Sequence, residues 1–95
     1  MIKVVAKNVL KEGSKEKVLE MLDELIEKTR KEDGCYIYEL YESLDDPNTV
    51  TFIEEWESME KLQAHIDSEH FKRIVPAVGE FNVGKEAIDI YKKLR

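Results

Sequence analysis

The apolar residues of this chain change their period as the sequence proceeds, and that switching limits the folds it can reach. From Ile2 to Val9 they alternate, with Ile2, Val4 and Ala6 on one face and Val5 and Val9 on the other, which is the period of a strand. Val18, Met21, Leu22, Leu25 and Ile26 then recur at helical spacing. They predict an amphipathic helix from about Lys15 to Lys31, with Ser14 as its N-cap and Gly34 in a left-handed turn past its end. Alternation returns from Cys35 to Glu42, with Tyr36, Tyr38 and Leu40 opposed to Cys35, Ile37 and Tyr41. The turn formers from Leu44 to Asn48 separate this second strand from a third, Thr49 to Trp56, so the two form an antiparallel hairpin. Ser58 opens a second helix with Met59, Leu62 and Ile66 as its stripe. The helical period resumes in Phe71, Ile74, Val75 and Val78, where Pro76 is expected to break or end the piece. A last strand is expected at about Glu86 to Tyr91.

The order β-α-β-β-α-β belongs to the α+β class and is the ferredoxin-like arrangement, a four-stranded antiparallel sheet with both helices on one face. Residues 1–95 are expected to form one domain of this kind. A domain so small buries only roughly 60 to 65% of the surface its unfolded chain exposes. The strands carry apolar groups on both sides, so the face without helices needs cover. A homodimer whose two sheets close on each other through a two-fold axis is the expected solution.

Charge narrows the partners. The chain carries a net charge of −6 with both signs interspersed, and no cluster of Lys and Arg is interleaved with aromatics as a nucleic-acid surface requires. No apolar stretch approaches the ~20 residues of a membrane span, and lysines interrupt the apolar N-terminal run. The expectation is a cytoplasmic protein with no nucleic-acid or membrane partner. Cys35 is the single cysteine; it excludes an internal disulfide and is expected to be a buried free thiol. With two histidines it has neither the count nor the spacing of a zinc site.

The chemistry concentrates between Glu54 and Phe71, a stretch that holds the only tryptophan and both histidines. Phe52, Glu54 and Trp56 share one strand face. A carboxylate between two large aromatics is desolvated unless a Lys or Arg meets it, and desolvation raises its pKa toward general-base values. Trp56 reads either as core filler or as a broad wall with one N–H donor for a planar substrate. His65 sits at the edge of the apolar stripe. His70 lies five positions on, about 140° further round an ideal helix, so the two rings are not expected to share a face or a metal. Either can serve as a proton-transfer group or as a packing or capping residue. Asn8 follows Val4 and Ala6 onto the buried face, where its amide must find partners in nearby backbone or in a ligand. Tyr36 and Tyr38 share a face and can present hydroxyls to a cavity or simply pack. No nucleotide-binding glycine motif, H-E-x-x-H or nucleophile elbow occurs, and the cysteines are too few for an iron–sulfur centre.

The block I-E-E-W-E-S-x6-H-x4-H-F, preceded by T-x-x-E-x-G-C-x-x-Y-E-L and by a first strand ending in Asn8, resembles the antibiotic biosynthesis monooxygenase family, in particular its small quinol monooxygenase-like members, over nearly the whole chain. The resemblance implies a dimeric α+β barrel with a pocket between sheet and helices in each subunit. It also implies oxidation of a small quinol or polyphenol-like aromatic by O₂ with no cofactor and no metal. On that reading His65 or His70 transfers the proton, Glu54 is an auxiliary acid or base, Asn8 and Tyr38 are polar grips, and Trp56 and Phe71 are walls. Haem-degrading members of the superfamily place an axial histidine one turn beyond S-x-x-F, where this chain has Val75, so haem chemistry is not expected. A branch similar in its H-x4-H-F/Y segment isomerises a small phosphorylated ketose and remains an alternative, as does a non-catalytic small-ligand binding or stress module.

Overall fold

The computed structural model describes residues 1–95. Its elements run β1 (Ile2–Val9), α1 (Lys15–Arg30), β2 (Cys35–Glu42), β3 (Thr49–Trp56), α2 (Met59–Ile66), α3 (Glu69–Gly79) and β4 (Ala87–Lys92). The four strands form one open sheet in the order β2-β3-β1-β4, each pair antiparallel. This is the ferredoxin-like α+β fold expected from the periods. The last strand begins and ends one residue later than its alternation suggested.

Register decides what faces the helices. Val4 lies opposite Glu54 and Ile90, and Ala6 lies opposite Phe52 and Ile88, while Tyr38 lies opposite Glu54 on the other side of β3. Directly opposed residues in an antiparallel sheet project to the same side, so these form one apolar floor interrupted by Glu54. Val18, Leu22 and Leu25 of α1, Leu62 of α2, and Ile74 and Val78 of α3 close the core over it.

The molecule is a slab of 36 × 30 × 19 Å, two layers thick. Its accessible surface of 6276 Å² exceeds the about 5,700 Å² expected for a folded monomer of this mass. Part of the excess lies on β4, whose floor-side residues Ile88 and Ile90 are 53% and 49% exposed. The helices thus cover β2, β3 and β1 but leave β4 as an open lip.

Local structure departs from the sequence reading at three points. Ser14 occupies the N-cap of α1, but its side chain accepts no hydrogen bond from the helix amides; its hydroxyl instead donates to the Lys11 carbonyl at 2.6 Å, closing the preceding turn. Pro76 neither breaks nor ends α3, which runs through it to Gly79. Pro76 and Lys72, whose carbonyl would have taken the missing N–H, are both exposed, so water can serve that carbonyl while Val78 stays anchored in the core. Tyr36 does not share the environment of Tyr38, because a bulge between Cys35 and Ile37 shifts the register and leaves Tyr36 on the surface.

Gly34 joins α1 to the sheet and holds α2 in place. It adopts φ +84 and a Cβ there would lie 2.4–2.9 Å from the Lys61 side chain, while its carbonyl accepts from the Glu57 amide at 2.8 Å. Gly34→Ala is therefore expected to lower unfolding stability by at least about 1–2 kcal/mol, the cost of a side chain in the left-handed region alone. Urea denaturation of the two proteins measures it.

Candidate active site

A cavity of about 360 Å³ lies between the floor and the helices, its wall including Asn8, Tyr38, Glu54, His65, Phe71 and Glu86. Most of its lining is apolar, with 16 hydrophobic residues of 24, which is the composition of a site for an apolar body held by a few polar groups.

Glu54 is the polar group of the floor. It is 5% exposed, has no cationic partner, and accepts one hydrogen bond from Trp56 Nε1 at 2.9 Å. Burial pushes its pKa up from 4.5 to about 7; the Trp56 bond opposes that rise, and the Glu86 and Glu32 charges add to it. Tyr38 beside it stacks on Phe52 at 4.8 Å between centroids, and burial first, then the Glu54 charge, holds its hydroxyl firmly protonated. In this wall it is a neutral hydroxyl.

His65 is 2% exposed and is gripped on several sides by rings: Trp56 at 4.6 Å, Phe71 at 5.0 Å and Tyr38 at 5.4 Å between centroids. Its Nδ1 lies 2.8 Å from Glu32 Oε2. Burial lowers its pKa, with Glu32 pulling the other way, so the imidazole is neutral near pH 7 and can accept a proton. His70 Nε2 meets the same Glu32 oxygen at 2.7 Å.

That convergence corrects the expectation that the two rings diverge. The extrapolation of 140° assumed one continuous helix, but α2 ends at Ile66 and α3 starts at Glu69. Ser68 makes the break: its hydroxyl donates to the His65 carbonyl at 2.6 Å and accepts from the Phe71 amide at 3.3 Å. The new helix axis swings His70 back toward Glu32. The donor atoms of Glu32, His65 and His70 all lie within 4.8 Å of one another, so this is the place where a metal ion could be considered. The two N···O distances of 2.7 and 2.8 Å are those of direct hydrogen bonds, shorter than the roughly 3.3 Å between ligands around a tetrahedral zinc.

A second polar cluster lines the cavity near β4. Asn8 is buried; its Nδ2 donates to Glu86 Oε2 at 2.9 Å and its Oδ1 accepts from Asn82 Nδ2 at 2.9 Å. The Asn82 Oδ1 is itself buried without a protein partner. Neither candidate partner expected from sequence supplies these bonds; the side chains leading into β4 do.

The expected site residues therefore separate by place. Asn8, Tyr38, Glu54, His65 and Phe71 line the cavity, and His70 and Trp56 are absent from its wall. Trp56 is fully buried and braces Glu54 and His65 instead of walling a ligand, because it ends β3 beneath the start of α2. Glu32 was not singled out by sequence reasoning. A signal was present, since an acidic residue just past a helix C-terminus faces the negative end of the helix dipole and requires a local reason such as a pair of imidazole donors. Cys35 is half-buried and free, and burial lifts its thiol to about 11, so it is inert as a nucleophile.

The chain is thus a ferredoxin-like α+β protein with an open four-stranded sheet, a cavity between sheet and helices, and a buried histidine and carboxyl in the cavity wall. The profile described as antibiotic biosynthesis monooxygenase matches residues 1–77, and the chain belongs to that family. It is 32% identical over 93 residues to the "Putative monooxygenase Rv0793" of Mycobacterium tuberculosis, covering 98% of this chain and 91% of that protein. A solved antibiotic biosynthesis monooxygenase superposes with a TM-score of 0.95 at 34% identity over 100% of both chains. A conserved protein of Methanosarcina mazei Go1 gives 0.95 at 40% identity, covering 97% of this chain and 91% of that one. No helix is long and apolar enough to cross a membrane.

The raised pKa of Glu54 has a thermodynamic signature. A carboxyl whose folded pKa lies above its unfolded value binds its proton more tightly in the fold, so its contribution to stability is complete at low pH and is lost as pH rises from 4.5 to about 7. The loss is on the order of a few kcal/mol. Glu54→Gln is expected to remove this dependence, so the variant gains on the native protein steadily across that range and exceeds it above pH 7. Denaturation midpoints at a series of pH values give the difference curve.

Proposed function

We propose that the protein is a cofactor-independent monooxygenase that oxidises a small hydroxylated aromatic, of the quinol or polyphenol type, with O₂. The observation that carries this reading is the pairing of an apolar cavity with a neutral histidine and a set of polar atoms that mainly accept hydrogen bonds. Glu86, Asn82 Oδ1 and the Nε2 of His65 all call for a donor, and a phenolic hydroxyl is one. The charged side chains of the wall are Glu54, Glu86 and Lys85, two carboxyls against one ammonium. A dianionic sugar phosphate is poorly matched to such a wall.

The chemistry balances without a cofactor. His65 takes the hydroxyl proton, and the resulting electron-rich phenolate supplies electrons to O₂ directly. One oxygen atom bonds to ring carbon and the other leaves as water, while the ring is oxidised to the quinone level; a phenol plus O₂ gives a quinone plus H₂O. The substrate furnishes all four electrons. The protein orients the ring between Phe71, Phe52 and the floor, removes the proton, and excludes water from the radical or carbanionic stage. Tyr38 donates to the developing quinone oxygen, and protonated Glu54 is available as an auxiliary acid. Asn8 holds Glu86 and Asn82 in position at the other end.

With metal-stripped protein, oxygen uptake above the autoxidation rate is expected for some member of a panel of reduced naphthoquinols and polyphenols. His65→Ala is expected to reduce that excess by ~10²-fold or more. No excess uptake across the panel, or an excess untouched in His65→Ala, contradicts the proposal.

We further propose that the functional unit is a homodimer. The sheet face away from the helices carries Val5, Val9, Ile37 and Ile53, and Tyr41 and Tyr91 beside them are exposed at 53% each. A second copy is a suitable cover for this face. Light scattering coupled to size exclusion at micromolar concentration is expected to give twice the 11.1 kDa of the chain; a single-chain mass contradicts it.

A further inference from the structure

The shared oxygen of Glu32 gives the two histidines different work. We propose that Glu32 is a positioning residue for the reaction: it fixes His65 in the Nδ1–H tautomer, so that Nε2 presents its lone pair to the cavity, and His70 is a second arm that fixes Glu32. This rests on the reading of His65 as the base.

The argument follows from geometry. Glu32 Oε2 lies 2.8 Å from His65 Nδ1 and 2.7 Å from His70 Nε2. A carboxylate offers only acceptors, so both nitrogens must carry their protons. A neutral imidazole has one N–H, so with Nδ1 protonated Nε2 is bare. His65 lines the cavity while Glu32 and His70 do not, which leaves Nε2, across the ring from Glu32, as the nitrogen a substrate meets. When Nε2 takes the hydroxyl proton, the ring becomes imidazolium with its positive charge adjacent to the Glu32 carboxylate. The proton stays on His65, and Glu32 serves as the countercharge.

No Lys or Arg pairs with Glu32, and its side chain is only 16% exposed. Its charge is therefore little screened where the imidazolium forms. The groups facing His65 from each neighbouring element are Glu32 after α1, Tyr38 on β2, His70 on α3, and Glu54, which is bonded to the Trp56 ring beside it on β3. Among them Glu32 is the one in hydrogen-bond contact with the ring.

His70 differs in kind. Its side chain is 14% exposed and it is outside the cavity wall, so it cannot take a proton from a bound substrate directly. Its N–H fixes the carboxylate from a second direction, much as outer hydrogen bonds orient a catalytic histidine elsewhere.

Nitrogen-15 correlation NMR of the histidine rings tests the tautomer without any substrate, so its outcome is independent of whether the oxygenase reading holds. The native protein is expected to show His65 protonated at Nδ1 and bare at Nε2. Glu32→Leu, which removes the acceptor, is expected to lose that preference, and His70→Ala to retain it. In kinetics Glu32→Gln is expected to lower kcat by ~10²-fold with KM little changed, and to move the acid limb of the kcat/KM profile to lower pH, because removing a negative neighbour destabilises imidazolium. Glu32→Asp, which keeps the charge, is expected to recover part of the rate and the original limb. His70→Ala is expected to cost less than Glu32→Gln. A native His65 protonated at Nε2, a Glu32→Leu variant with unchanged tautomer, a Glu32→Gln variant with unchanged pH profile, or a stoichiometric zinc ion retained by the native protein and lost in His70→Ala would each overturn the proposal.

Discussion

One carboxylate oxygen holds three separate parts of this molecule together. Glu32 Oε2 meets His65 at the end of α2 and His70 at the start of α3, and Glu32 itself follows directly on α1. The helical layer over the sheet is short and interrupted, so its pieces need a fixed point. The hydrogen bonds supply it beside the ring cluster around His65, and they add direction that packing lacks. Charged or partly charged hydrogen bonds in a shielded place are roughly twice as strong as neutral ones. The break at Ser68 makes this possible, since a continuous helix would have carried His70 away.

The same site is electrostatically unusual for what it omits. Glu32, Glu54 and Glu86 approach the cavity region without a guanidinium among them, although the surface is laced with pairs such as Lys61–Asp33 at 2.5 Å and the Arg73 contacts to Glu24 and Glu69. Lys85 is the one cation of the cavity wall, and it pairs with none of these carboxyls. Keeping the interior carboxyls unpaired costs stability, visible in the pKa of about 7 at Glu54. It leaves a carboxyl pushed up to about 7 near an imidazole whose pKa burial lowers, shifts of the kind found at proton-transfer sites.

The fold was legible in the sequence because each element announced itself by period, and the hairpin by its turn residues. Strand pairing and the helix-covered face followed from that. The site was legible only in part. Asn8, Tyr38, Glu54, His65 and Phe71 lie on elements whose faces periodicity assigns, and they reach one cavity. His70 was misplaced because a two-residue break between helices changes direction by an amount no helical wheel contains. Trp56 lies on the expected face, yet whether a floor residue touches a cavity or lies beneath its neighbours depends on packing depth. Glu32 belongs to no periodic face at all; it sits in a turn, and its partners are more than 30 residues away.

On the proposed reading, cavity, floor and helix break together prepare an aromatic hydroxyl for direct reaction with O₂, with the substrate as the only source of electrons. The most direct test is the fate of labelled oxygen. Metal- and flavin-free protein turning over an active quinol under ¹⁸O₂ is predicted to place one labelled atom in the product and one in water, with no hydrogen peroxide accumulating. Unlabelled quinone with stoichiometric peroxide would show an oxidase or mere autoxidation, and would contradict the central claim.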